Sequence, residues 1–138
     1  MSHNVTMSGV KIKDLNAFGQ VVRDLSKGEA KLVNPASNFR TYRGQDTTCD
    51  AKIEMPGKHD VGLKKNADGS YTPVFDPYAM SPIFKNPHGD SAKSYIGLLM
   101  QEYTLREAEY QAARNGYTPN RVQGANGVTT LELVPVGA

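Results

Sequence analysis

The sequence predicts an α+β fold in which two helices pack on one face of a mainly antiparallel sheet. Three observations predict it. Two segments set apolar residues at helical spacing between start and stop signals. Several short stretches alternate apolar and polar residues, and Gly, Pro, Asn and Asp gather between them. The length of 138 residues fits a single domain over 1–138. The order read from these patterns is β-α-β-β-β-β-α-β-β.

The first strand is expected over residues 5–13, with Val10 and Ile12 on one face and Met7, Lys11 and Lys13 on the other. Asp14 follows as a helix N-cap, because its carboxylate can accept backbone N–H groups of the first turn. Leu15, Phe18, Val22 and Leu25 then recur at helical spacing, and Gly28 is the stop. Gly19 costs this helix about 1 kcal/mol relative to Ala, so packing must hold it.

Strands are expected next over 39–43, 48–55, 59–65 and 71–75. In the second of these Cys49, Ala51, Ile53 and Met55 share a face. In the third Val61 and Leu63 point inward, with Gly62 and Lys64 outward. Pro56-Gly57 and the Asn66 to Gly69 cluster supply turns. Residues 76–90 hold Pro77, Pro82, Pro87 and Gly89 and read as an ordered surface loop. Ser91 caps a long helix over 92–115. Ile96, Leu99, Met100, Tyr103 and Tyr110 line one side of it, and Gln101, Arg106, Glu109 and Arg114 lie opposite. Gly116 ends that helix, and residues 122–123 and 128–134 close a hairpin around Asn126-Gly127.

Composition narrows the functional classes. Sixteen basic against 14 acidic residues leave a net charge of +2, too small for whole-molecule attraction to a polyanion. Nucleic-acid binding would need the basic groups on one face. A single cysteine, Cys49, suits a reducing compartment. The first residues lack a signal-peptide pattern, and the longest apolar stretch, 96–100, is far too short to span a membrane. A cytoplasmic protein without membrane contact is expected.

Catalytic groups are sparse. His3, His59 and His88 fall in no metal-ligand spacing. Cys49 lies on the apolar side of a strand, where burial suppresses the thiolate. Glu102, Glu107 and Glu109 share their helix with Arg106 and Arg114, which predicts a charge-paired solvated face. No phosphate-binding glycine loop is present. The expectation is a binding protein with no catalytic residues, metal or cofactor.

The segment Asn38-Phe39-Arg40-Thr41-Tyr42-Arg43 interleaves aromatic and basic side chains. As a strand it would expose either Phe39 with Arg43 or Arg40 with Tyr42, the pairing that single-strand binders use to stack bases and meet phosphates. Lys11, Lys13, Lys52 and Lys64 occupy outward positions nearby. The expected partner is therefore single-stranded DNA, with those lysines, Arg40 and Arg43 on phosphates and Tyr42 or Phe39 on bases. Tyrosines of the long helix left outside the core would serve a homo-oligomer interface, raising affinity for a long strand by avidity. The alternative is a protein-interaction module, an inhibitor or assembly factor, using the proline-rich loop near Tyr78, Met80 and Phe84.

Several segments together resemble a conserved family of chloroplast genomes, cyanobacteria and phages whose members often begin Met-Ser-His. They are Met1-Ser2-His3, Lys11-Ile12-Lys13-Asp14-Leu15, Tyr42-Arg43-Gly44, and His59-Asp60-Val61-Gly62-Leu63 followed by Asp68-Gly69-Ser70-Tyr71. Ala113-Arg114-Asn115-Gly116-Tyr117 and Asn126-Gly127 agree as well, whereas residues 76–90 depart from the pattern. The resemblance implies a fold but no activity. In size and character the chain is also similar to small proteins of N4-like phages that bind single-stranded DNA and recruit a phage RNA polymerase. That similarity implies a transcription cofactor and transfers no binding residue.

Overall fold

The computed structural model describes residues 5–6, 11–75, 95–124 and 129–137. Their order is β1 (Val5–Thr6), α1 (Leu15–Ser26), β2 (Lys31–Val33), β3 (Ala51–Glu54), β4 (Val61–Lys65), β5 (Tyr71–Phe75), α2 (Tyr95–Arg114), β6 (Tyr117–Gln123) and β7 (Thr129–Pro135). β1 to β5 form one antiparallel sheet in the order β1-β5-β4-β3-β2, and β6 and β7 form a separate hairpin. The fold is α+β, as the patterning predicts.

One core joins both helices to one sheet face. Alternation along β3 and β4 sends Ala51, Ile53, Val61 and Leu63 to that face, where Phe18, Val21 and Val22 of α1 and Leu99, Met100 and Tyr103 of α2 meet them. Asp14 caps α1 as expected, accepting from the amides of Asn16 at 3.0 Å and Ala17 at 3.2 Å. The Tyr103 hydroxyl, 3.1 Å from the amides of both Lys13 and Asp14, fastens α2 to this helix start. Gly19 has a packing reason: a Cβ there would lie 3.1 Å from Cδ2 of Leu32, so its absence lets α1 approach β2.

Three expectations are corrected. Residues 39–43 are not a strand. The sheet's second strand is instead β2, whose three residues are too few to display a period. Residues 34–50 form a strap over the sheet face opposite the helices. Its two limbs are tied by Phe39 N–H to Thr47 O at 2.9 Å and Cys49 N–H to Ser37 O at 3.0 Å. Tyr110 leaves the core side of α2 and is 59% exposed. β6 begins at Tyr117, five residues before the expected strand. The Asn126-Gly127 turn, residues 7–10, the 76–90 loop and the helix start at Ser91 and Ala92 lie outside the described residues, as does the Ile96 side chain.

Phe39 and Gly62 decide where the strap sits. Gly62 is on the outer face of β4, between Lys52 of β3 and Val74 of β5. A Cβ on Gly62 would come within 2.6 Å of Cδ1 and 2.8 Å of Cζ of Phe39, and closer still to Cε1. The Phe39 ring therefore lies directly against the glycine and is 3% exposed. Gly62→Ala should cost about 1–3 kcal/mol by overpacking, and Phe39→Ala about 3–5 kcal/mol. The double variant should lose clearly less than the sum, because both act on one contact. Urea denaturation of the four proteins measures this, and additive losses would contradict the contact.

Candidate functional site

The eight residues expected to hold nucleic acid do not form one surface. Phe39 is buried beneath the strap and cannot stack on a base, a correction that follows from its seat on Gly62. Arg40 differs too: half of its side chain meets water, but each guanidinium nitrogen already donates within the protein. Nε and Nη2 donate to Asp60 Oδ2 and Oδ1 at 3.0 and 2.7 Å. Nη1 donates to Gly57 O at 2.7 Å and Nη2 to Met55 O at 2.6 Å. Lys11 pairs with Asp68 at 3.0 Å, Lys64 with Asp46 at 2.8 Å and Lys52 with Glu54 at 3.5 Å. Lys13, Tyr42 and Arg43 remain exposed, and among the described residues neither cation makes an ion pair.

Asp60 is the acceptor on which the strap closes. Its side chain is fully buried, and besides Arg40 it accepts from the amides of Met55 and Arg40, each at 3.0 Å. Its own amide donates to Arg40 O at 2.8 Å, so backbone and side chain of both residues interlock. Burial pushes the carboxyl up, but the Arg40 guanidinium and the two amides outweigh it and hold the carboxyl below its ordinary value. No pattern around residue 40 could announce a partner 20 residues away.

Beside this clamp, Tyr42 packs edge-on against His59, with ring centroids 4.6 Å apart. The His59 Nδ1 is buried without a hydrogen-bond partner among the described residues. Tyr42 is 41% exposed, Arg43 follows it in the strap, and Lys58 precedes its ring partner His59; both cations are exposed. Cys49 is half-buried, and burial pushes its thiol up, which opposes a nucleophilic role.

A second surface was not anticipated. The β6–β7 hairpin rests on α2 through one guanidinium. Arg121 donates to both oxygens of Glu102 at 2.8 and 2.9 Å and to both oxygens of Glu109 at 2.6 and 3.0 Å. Arg106 continues the chain of charges from Glu102 to Asp24 of α1, at 2.8 Å to each. The expected charge pairing of this helix face is thus present in part. Its central cation comes from β6, and Arg114 lies instead over the Tyr110 ring, 5.6 Å from its centroid. Beyond Arg121 the hairpin exposes Tyr117, Val122, Leu133, Val134 and Val136.

The clamp predicts a pH-dependent variant. In the wild type a lowered Asp60 pKa adds stability above the unfolded value of about 3.9 and loses it as pH falls through the folded value. Arg40→Ala strands a buried carboxylate, whose pKa burial then raises, so acid relieves the variant. Its deficit should be about 3 kcal/mol at neutral pH, the low end for a buried pair because half of the Arg40 side chain meets water. That deficit should shrink near pH ~4. Denaturant midpoints at both pH values measure it, and a constant deficit would contradict the assignment.

Among the described residues no helix is long and apolar enough to cross a membrane, and no three His, Cys, Asp or Glu side chains gather as metal ligands. No curated protein and no solved structure matches the chain significantly. A family model does match over residues 23–134, from the last turn of α1 through the strap and sheet to β7, and the chain belongs to that family, described as Protein of unknown function (DUF1257).

Proposed function

We propose that this protein is a non-catalytic interaction module that docks a protein partner through the β6–β7 hairpin. One observation carries the reading. Of the seven large hydrophobic residues exposed among the described residues, five lie between residues 117 and 136, so uncovered apolar area is concentrated on one projecting element. Tyr117 and Leu133 share the hairpin face that carries Arg121, and Val122 and Val134 lie on the other, so this element exposes apolar side chains on both faces, whereas single scattered apolar residues would need no explanation. The charge chain through Arg121 supports the same reading, because it holds the hairpin in place before a partner arrives and lowers the ordering cost of binding. The lowered carboxyls of Asp24, Asp46, Asp60, Asp68 and Glu102 each have a pairing partner or a local hydrogen bond as cause, which leaves no group tuned for catalysis among them.

The Tyr42 rim favours a second reading. An exposed tyrosine followed by Arg43, with Lys58 next to its ring partner His59 in sequence, is the smallest version of a single-strand platform. On this reading the chain binds single-stranded DNA at Tyr42 and brings a polymerase to it.

Two measurements separate the readings. Val122→Glu and Val134→Glu change the outward hairpin face and should abolish capture of a partner from source-cell extract, with denaturant stability changed by less than about 1 kcal/mol. Fluorescence anisotropy with a labelled single-stranded oligonucleotide should show no saturable binding at low salt. Tight binding that Tyr42→Ala removes would replace the first reading with the second.

A further inference from the structure

We infer that the partner seated on the hairpin is a second copy of this chain, paired antiparallel along β7; this rests on the interaction reading above. Both outer edges of the hairpin are unpaired among the described residues. They differ in chemistry. β6 carries Pro119 in mid-strand and so lacks one amide donor, whereas β7 has no proline before Pro135, and every second amide from Thr129 to Val134 points to its open edge. A two-stranded sheet is marginal alone, and edge pairing of two copies would make it four-stranded, in the order β6-β7-β7-β6.

Charge identifies the occupant and the register. The 14 strand residues of the hairpin hold only two charges, Arg121 and Glu132. Arg121 is spent on Glu102 and Glu109, so the edge presents a nearly neutral apolar strip with one acid. Such a strip suits a like strip and not a polyanion. A two-fold axis at Glu132 would set two carboxylates face to face. An axis at Leu131 sets Leu131 against its copy, Thr129 against Leu133, and Glu132 against Thr130 twice. The second register avoids the repulsion. Stable dimers bury roughly 800 Å² per partner, and a contact along one seven-residue strand edge is small, so the dimer should dissociate on dilution through the micromolar range.

Thr130 and Glu132 are both exposed and face away from α2, so changing them leaves the fold intact. Light scattering coupled to size exclusion, over a concentration series, should find a wild-type dimer. Thr130→Glu should raise its dissociation constant about fivefold or more, since it creates two like-charge pairs, and Thr130→Lys should lower it. Adding Glu132→Lys to Thr130→Glu should restore the wild-type value. A dimer insensitive to these changes would overturn the β7 pairing. A monomer at every concentration whose Val134→Glu variant still loses a foreign partner would overturn self-pairing and spare the interaction reading. A monomer whose hairpin variants alter nothing would overturn both.

Discussion

A buried carboxylate organises the outer half of this protein. Asp60 sits at the entrance to β4, fully withdrawn from water, and a lone carboxylate there would be costly. Arg40 meets it with two donors, and the amides of Arg40 and Met55 supply two more. The arginine can reach Asp60 only if the strap lies across the sheet. Once it does, Phe39 lands on Gly62, the one outer position with no side chain to obstruct it. The ion pair sets direction, and the ring on the glycine excludes water.

That closure has a functional consequence. It covers the centre of the sheet face with the protein's own chain and brings Asp46 to Lys64, while Lys52 pairs with Glu54 of its own strand, so both lysines on that face are already paired. What stays open is the rim at Tyr42 and the hairpin beyond α2. The hairpin is held by a different chemistry. Exposed ion pairs contribute little singly, but Arg121 binds two carboxylates with all of its side-chain nitrogens, and the Glu102 it shares with Arg106 links β6 to both helices. Each open surface therefore adjoins a hydrogen-bonded ion pair.

Much of the inner half is legible in the sequence because its signals are local. Asp14 followed by Leu15, Phe18 and Val22 specifies α1, and Ala51, Ile53, Val61 and Leu63 alternate where β3 and β4 run. The outer half is not, because its determinants are distant. Phe39 to Arg43 has the alternation of a strand, yet Asp60 and Gly62, some 20 residues on, decide its path. β2 is too short to show a period. Pro119 conceals the first half of β6, and the Arg121 pairing spans 12 and 19 residues. The expected site misplaces Phe39 for the same reason: interleaved aromatics and cations say nothing of which are already taken.

Amide hydrogen exchange tests the closed strap most directly. The amides of Phe39, Arg40 and Asp60 are bonded to Thr47 O, the Asp60 carboxylate and Arg40 O, and they should exchange only through opening that approaches global unfolding. Exchange at the rate of a solvated loop in otherwise native protein would contradict the account.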